Sequence, residues 1–362
     1  MNRRAWLWWL AGFAGAWSGV AQAEPYLAAR EGLKCMQCHV NPTGGGMRTT
    51  FGSAYAQTVL AAERIETPDK PWNDALDMLI NLGGDLRVNA RYTDVPDQGA
   101  DSAFETEELR VYLAANVIPQ RLTIYADQQL APGGSVNREA YALLRSADQR
   151  YYAKAGRMYL PYGLRLEDDD AFVRLAPGLN LTTPDNGVEL GYESAAWSLQ
   201  AAASNGAGGG TENNEGKQLS LSATYLQPRW RLGVSANYND ADPGDRAMGA
   251  LFATLRTGAL TWLAEADYID DDSFATGQRT LIAGLLETNW AWRKGHNLKL
   301  SGEYFDPDTD IDEDQQVRYS LVWEYTPIQF LQIRSGLRVY DGIPQNDLQN
   351  RRVGFVQLHG FF

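Results

Sequence analysis

From about residue 82 onward, apolar and polar residues alternate along the chain with period two. Leu82, Gly84, Leu86, Val88, Ala90 and Tyr92 alternate with Gly83, Asp85, Arg87, Asn89 and Arg91. Leu109, Val111, Leu113, Ala115 and Val117 repeat the pattern against Glu108, Arg110, Tyr112 and Asn116, and Val317, Tyr319, Leu321, Trp323 and Tyr325 against Arg318, Ser320, Glu324 and Thr326. A strand points successive side chains to opposite faces, so each segment has one apolar and one polar face. The pattern predicts strands starting near 82, 107, 121, 138, 150, 187, 197, 218, 230, 247, 260, 279, 296, 316, 330 and 351. Strands four and six are weakly patterned, which leaves fourteen as the alternative count.

The connections decide between a soluble sandwich and a barrel. Short turns (Pro119-Gln120, Gln227-Pro228-Arg229, Thr257-Gly258-Ala259, Arg293-Lys294-Gly295) alternate with long segments at 94–106, 161–186, 205–217, 239–246, 270–278, 306–315 and 341–350. Outer-membrane barrels alternate short periplasmic turns with long outer loops, whereas a sandwich has no reason to do so. Strands near ten residues span a bilayer at a tilt. The closing segment VGFVQLHGFF ends on Phe362, as a terminal barrel strand does. Tyr92, Tyr159, Tyr192, Tyr238, Tyr268, Tyr304 and Tyr340 fall near strand ends, where interfacial girdles lie. Such a barrel encloses an aqueous lumen unless something fills it. The 161–186 segment is the longest loop and the best placed to fold inward.

The first residues give a compartment. Asn2-Arg3-Arg4 is a basic start, Ala5 to Val20 an apolar run, and Ala21-Gln22-Ala23 a small-x-small cleavage pattern before Glu24. This reads as a cleaved export signal over 1–23, too short and Gly-rich for a membrane span. The formal net charge is −13, and removing Arg3 and Arg4 with the leader takes it to −15. So acidic a chain repels phosphate backbones, which excludes nucleic acid as a partner.

Between leader and barrel lies the chemistry. Cys35-Met36-Gln37-Cys38-His39 is C-x-x-C-H, and it holds both cysteines of the chain. In an exported protein this spacing attaches c-type haem: two thiols bond the macrocycle and the adjacent histidine reaches the iron. A thioredoxin-like pair would need a βαβ context, a zinc site more ligands, and a disulfide would close a very small loop. The segment from Glu24 to about Pro71 is too short to build its own core. Phe51, Tyr55 and Val59 share a helical face that could cover the macrocycle. The linker Glu66-Thr67-Pro68-Asp69-Lys70-Pro71 is brief, so the module is expected in or just under the barrel mouth, as a plug.

Signal, one CMQCH within the first forty residues, a brief linker and a sixteen-stranded barrel together resemble the fused cytochrome–porins of the outer membrane, a family that includes iron oxidases. The lead-in AEPYLAAREGLKC is similar to that family's, whereas NPTGGGMRTTFG departs from it and marks a sister branch. The resemblance covers essentially the whole mature chain. It implies a leader (1–23), a monohaem cytochrome c module (24–71), a linker (72–81) and an outer-membrane β-barrel (82–362). The fold expected is an all-β transmembrane barrel of about sixteen antiparallel strands, its lumen plugged by a small α-helical haem module.

His39 is the expected proximal ligand. The sixth position is open to Met47, beyond the glycine turn, and to His359, which parity points into the lumen. Met36, Met158, Met248 and His296 are further candidates. Arg48 could pair with a haem propionate. Acid runs at 167–170, 240–245, 270–272 and 306–314 could gather divalent cations, Fe(II) among them, bridge lipopolysaccharide, or simply be solvated. The leading expectation is an electron conduit between an extracellular donor or acceptor and a periplasmic cytochrome. The alternatives are a diffusion channel or receptor gated by the module, and a sheath for a multihaem protein.

Overall fold

The computed structural model describes residues 24–65, 79–212, 214–242, 244–274 and 277–362. The expected leader and the linker segment 66–71 lie outside the described residues, as does most of 72–81. Sixteen antiparallel strands close into one barrel in which each strand pairs with its sequence neighbours and the first pairs with the last. They are β1 Ile80–Val95, β2 Gly99–Ile118, β3 Leu122–Ala131, β4 Val136–Arg145, β5 Tyr151–Met158 and β6 Asp185–Glu193. Then follow β7 Trp197–Ser204, β8 Gln218–Leu226, β9 Trp230–Asn239, β10 Arg246–Thr257 and β11 Leu260–Asp271. Finally come β12 Arg279–Arg293, β13 His296–Asp306, β14 Gln316–Ile328, β15 Leu331–Asp341 and β16 Arg352–Phe361. Every strand but β2 starts within two residues of its expected position.

The exception is a correction. The 94–106 segment, expected as a long loop, is the tip of a tall hairpin in which β1 and β2 pair out to Val95 and Gly99. A bulge in β2 causes the misreading: Arg87 pairs with Glu108 and Val88 with Thr106, so Glu107 is the extra residue and breaks the alternation.

The outward face is apolar. Leu86, Val88, Leu219, Leu221, Val234, Leu286, Leu321 and Leu337 are all exposed, while Asp85, Arg87 and Asn89 between the first of these are buried. A continuous apolar surface of this kind is a membrane-facing wall. No described helix is long and apolar enough to cross a membrane. At the short-turn end, Trp197, Trp230, Trp290, Trp292 and Trp323 ring the wall, a tryptophan girdle that the tyrosine positions alone did not predict. Tyr92, Tyr238, Tyr268 and Tyr304 do face outward, but Tyr159 is fully buried inside the barrel and Tyr340 is also buried.

Two segments fill the lumen. One is residues 24–65, which enter at the short-turn end. Lys34 donates to the carbonyls of Ser194 and Trp197, Arg256 to that of Arg30, and Ala62 N–H to that of Thr326. The other is the loop of residues 159–184, between β5 and β6, which folds inward as its length suggested. It carries a one-turn helix at Phe172–Leu175, and Tyr162, Leu164, Leu166 and Phe172 join a cluster with Phe252, Leu263 and Leu285. The two segments meet where Arg165 donates to the Thr43 carbonyl at 3.2 Å.

Candidate functional site

The cysteine motif begins after α1 (Pro25–Glu31), which ends at Gly32 in the left-handed conformation, φ 68°. Cys35–Cys38 form a single helical turn, α2, so both thiols lie on one side of it. His39 then leaves the helix in extended conformation. Asn41 Oδ1 accepts from the Thr43 N–H and hydroxyl, a side-chain-capped turn. Gly44, Gly45 and Gly46 follow with φ of 91°, 82° and 62°. Three consecutive left-handed residues explain the triple glycine, since side-chain-bearing residues resist that conformation. The turn brings the chain back beside itself: Val40 N–H donates to Met47 O at 3.0 Å, Thr49 N–H to Cys38 O at 2.9 Å, and His39 bridges Arg48. Thr49 then caps α3 (Thr50–Tyr55), which continues as a π-helical turn at Ala56–Leu60.

This two-stranded return sorts the candidates by face. Neighbouring residues of an extended segment point opposite ways. His39 and Arg48 therefore face a cavity of about 610 Å³, while Val40 and Met47 face the barrel wall. Met47 is 2% exposed and packs among Tyr112, Tyr125, Tyr141 and Met158. Its N–H donates to the Tyr125 hydroxyl at 3.0 Å.

Cys35, Cys38, His39 and Arg48 all line the cavity, with Tyr26, Leu33, Val59, Phe252 and Phe361 among its apolar walls. It reaches the barrel rim, where Arg293 and Lys294 of a short turn contribute to the lining. A pocket of this size suits an organic cofactor or ligand. Both cysteines are unpaired thiols. Burial pushes the Cys35 thiol up, and it pushes that of Cys38, aided by Cys35, up to about 11. Both are therefore protonated at neutral pH, unlike a low-pKa redox pair. Burial, and then the Arg48 guanidinium, hold His39 down at about 4 against the opposing backbone of Gly46 and Gly45, so its ring is neutral. Arg48 stacks over the Phe361 ring at 4.5 Å.

The structure brings Cys35, Cys38, His39 and Arg48 together; it places the candidate sixth ligands elsewhere. His359 points into the lumen as parity predicted, but its Nε2 sits 2.5 Å from Asp85 and its Nδ1 3.4 Å from Gln332 Oε1. Met158 and Met248 belong to packed clusters, and Met36 does not line the cavity. His296 does line it, but its ring lies flat against Tyr325 at 4.3 Å within the rim's aromatic stack. Among the described residues no group of three potential metal donors includes the motif, so a zinc set is not assembled there.

Sequence reasoning missed how the buried lumen charges pair along the wall, within a strand or between neighbouring strands. Arg110 binds Glu108 at 2.7 Å and Asp127 at 3.3 Å, Lys154 binds Glu189 at 3.1 Å, and Arg318 binds Glu303 at 2.5 Å. Charges on the lumen face were readable from strand parity, but their partners were not. The acid run at 167–170 is corrected too. Glu167 pairs with Arg334 at 2.7 Å and Asp168 with Arg318 and Arg338 at 3.0 and 2.8 Å, leaving only Asp170 exposed. These acids tie the loop to the barrel wall and are not a cation-gathering patch.

Comparison with protein-family models and with curated proteins finds no match. Solved structures do match. The anion-selective porin from Comamonas acidovorans has a TM-score of 0.62 at 11% identity, covering 78% of this chain and 99% of that one. The trimer form of OmpT, an outer-membrane protein of Vibrio cholerae, gives 0.60 at 11%, over 78% and 99% of the chains. The outer-membrane channel DcaP of Acinetobacter baumannii gives 0.56 at 13%, over 78% and 97%. The chain therefore has the sixteen-stranded fold of the outer-membrane porins, with its lumen filled by its own N-terminal segment and inward loop.

Proposed function

We propose that the chain is an outer-membrane electron-transfer barrel that holds one covalent haem c at its short-turn end, the periplasmic end by the convention of such barrels. The observation that carries this reading is the meeting of Cys35, Cys38 and His39 on one largely apolar cavity inside a closed barrel. The residues fit the group. Two unpaired thiols on one helical turn would bond the macrocycle, and a neutral imidazole beside them would take the iron. Arg48, facing the same space as His39, would hold a propionate. A haem there supplies a one-electron centre, and no bond of a substrate need be made or broken. The barrel contributes the shelter that a module of this length cannot build alone.

The filled lumen favours electrons over solutes as the traffic. Arg87, Arg110, Glu108 and Asp127, which would line an open porin channel, are fully buried. On this reading an extracellular donor, Fe(II) being the one implied by the fused cytochrome–porins, exchanges electrons with a periplasmic cytochrome through the barrel. Membrane lipid and lipopolysaccharide surround the wall.

A diffusion channel or receptor is the second reading, favoured by the likeness to solved porins and to the DcaP channel. One pair of measurements separates the two. The pyridine haemochrome assay on protein purified from cells competent in c-type cytochrome maturation should give one haem per chain, and planar bilayers should show no steady conductance. Conductance from haem-free protein would replace the conduit with the channel.

A further inference from the structure

Glu24, Glu167 and Glu324 bring carboxylate oxygens within 4.8 Å of one another inside the barrel. They come from three separate elements: the start of the described N-terminal segment, the inward loop and β14. Two cations serve them. Lys299 lies 3.1 Å from Glu24 and 3.4 Å from Glu324, and Arg334 lies 2.7 Å from Glu167 and 3.6 Å from Glu324. Arg87 approaches Glu167 at 3.3 Å but is shared with Glu108 at 3.6 Å. Tyr26 and Asn297 donate to Glu324 Oε2, each at 2.9 Å. Even so, Glu167 Oε2, on a residue 3% exposed, lacks a hydrogen-bond donor, and Glu324 Oε1, on a residue 2% exposed, has only the longer ion pairs with Lys299 and Arg334. The cluster is one positive charge and some donors short. Burial, opposed by Lys299 and reinforced by Glu324 and Glu167, pushes the Glu24 carboxyl well above its usual range, as that deficit requires.

A divalent cation would have to sit between two side chains that are themselves cationic. A single ammonium is the better fit, and the sequence supplies one. Ala21-Gln22-Ala23 marks the bond before Glu24 for cleavage by the leader peptidase of exported proteins. Hydrolysis breaks the Ala23–Glu24 amide, adds the hydroxyl of water to the Ala23 carbonyl and leaves a primary amine on Glu24. That amine is protonated at neutral pH, its ordinary pKa being about 8. It is carried by the same residue as one of the three carboxylates, a few bonds from that carboxyl and so within reach of the cluster.

We infer that the mature chain starts at Glu24 and that its α-ammonium is docked inside the barrel as the third cation of the Glu24–Glu167–Glu324 cluster. Leader removal then completes the contact that ties the N-terminal segment to the inward loop and to β14. It must precede closure of the barrel over that segment. The held ammonium is also kept from cyclising with its own side-chain carboxyl to pyroglutamate. This inference does not depend on the haem.

The test uses the full-length protein purified from outer membranes, verified as folded by heat-modifiable gel mobility, and reductive dimethylation of its amines. Peptide mass spectrometry should find a free N-terminal Glu24. In the folded barrel that amine should be labelled about tenfold or more slowly than the exposed Lys294, and at a similar rate after thermal unfolding. In Glu324→Gln, or in Glu167→Gln should the first variant not fold, the labelling rate should rise toward that of Lys294. A mature terminus elsewhere, a pyroglutamate, labelling as fast as Lys294 in the folded protein, or protection unchanged in a folded carboxylate variant would each overturn the proposal.

Discussion

His39 and Met47 lie on the two arms that the glycine turn joins, yet they serve opposite faces. The motif spacing grouped His39 with Cys35 and Cys38, and all three line one cavity. Met47 was singled out because a sulfur nearby could serve as a ligand; its side chain instead fills the wall cluster beside Tyr112 and Tyr125. Met47→Ala should therefore lower unfolding stability by about 2–5 kcal/mol, the cost of a buried methionine's cavity, while haem content per folded chain stays unchanged. Calorimetry together with the haemochrome assay checks both halves, and loss of haem from folded protein would count against the packing role. Cys38→Ser should have the opposite profile: a folded barrel in which the proposed haem keeps only the bond to Cys35, retained on acid–acetone extraction but with a pyridine haemochrome band moved to longer wavelength because one vinyl stays unsaturated.

A second prediction at this scale concerns pH. Asp169 accepts from the Leu181 N–H at 3.1 Å in the buried loop, near Arg174, Asp168 and Asp170, and burial pushes its carboxyl up to about 8. The folded protein thus holds a proton that the unfolded chain releases. The associated stability is complete below the ordinary carboxylate range and is lost as pH rises through about 8. The thermal midpoint in detergent should fall between mildly acidic and mildly alkaline pH. Asp169→Asn should flatten that slope, and an unchanged slope would remove Asp169 as its cause.

Among the elements, the strands and the two lumen-filling segments were legible, and the contacts that hold those segments in place were not. Period-two alternation is a local property, so strand starts could be read to within two residues, apart from β2, where the bulge interrupts the period. The glycine turn is an intermediate case. Its sequence signalled a reversal, but only the fold shows why Gly46 is required there: φ is 62° and an added Cβ would collide with the Tyr125 hydroxyl. Gly46→Ala should cost about 1–3 kcal/mol of local stability. The expected readout is faster proteolysis within residues 24–65 while the barrel itself stays heat-modifiable. Equal proteolysis rates in variant and parent would show that the turn tolerates a side chain. The acid run at 167–170 had no legible partner, because Arg318, Arg334 and Arg338 lie about 150 residues or more away along the chain.

For the molecule as a whole, porin fold and blocked lumen must be held together. The inward loop is clamped by Glu167 and Asp168 to arginines of the wall, and by Glu303 and Glu265, which accept from the Phe172 and Leu164 N–H groups. Breaking one buried pair by removing a partner costs about 3–5 kcal/mol, since the other charge is left stranded. Deleting the loop interior should therefore strand several arginines and admit water to the upper lumen. We expect planar-bilayer conductance to rise from near zero in the intact protein to a noisy, gated level in the loop-deleted form, with residues 24–65 still restricting the lower mouth. Full porin-like conductance in the intact protein would contradict the filled lumen.

The sequence by itself determined the barrel, the starts of nearly all its strands and the alternation of outward apolar and inward polar faces along them. Alternation, turn length and motif spacing are all set by residues close together in the chain. Only the tertiary structure decided which side of the glycine return faces the cavity, where Met47 and His359 are spent, and that the acids of the inward loop pair with arginines of the wall. Those outcomes depend on the N-terminal segment, the inward loop and strands far apart in the chain meeting inside the barrel, contacts that no local stretch of sequence specifies.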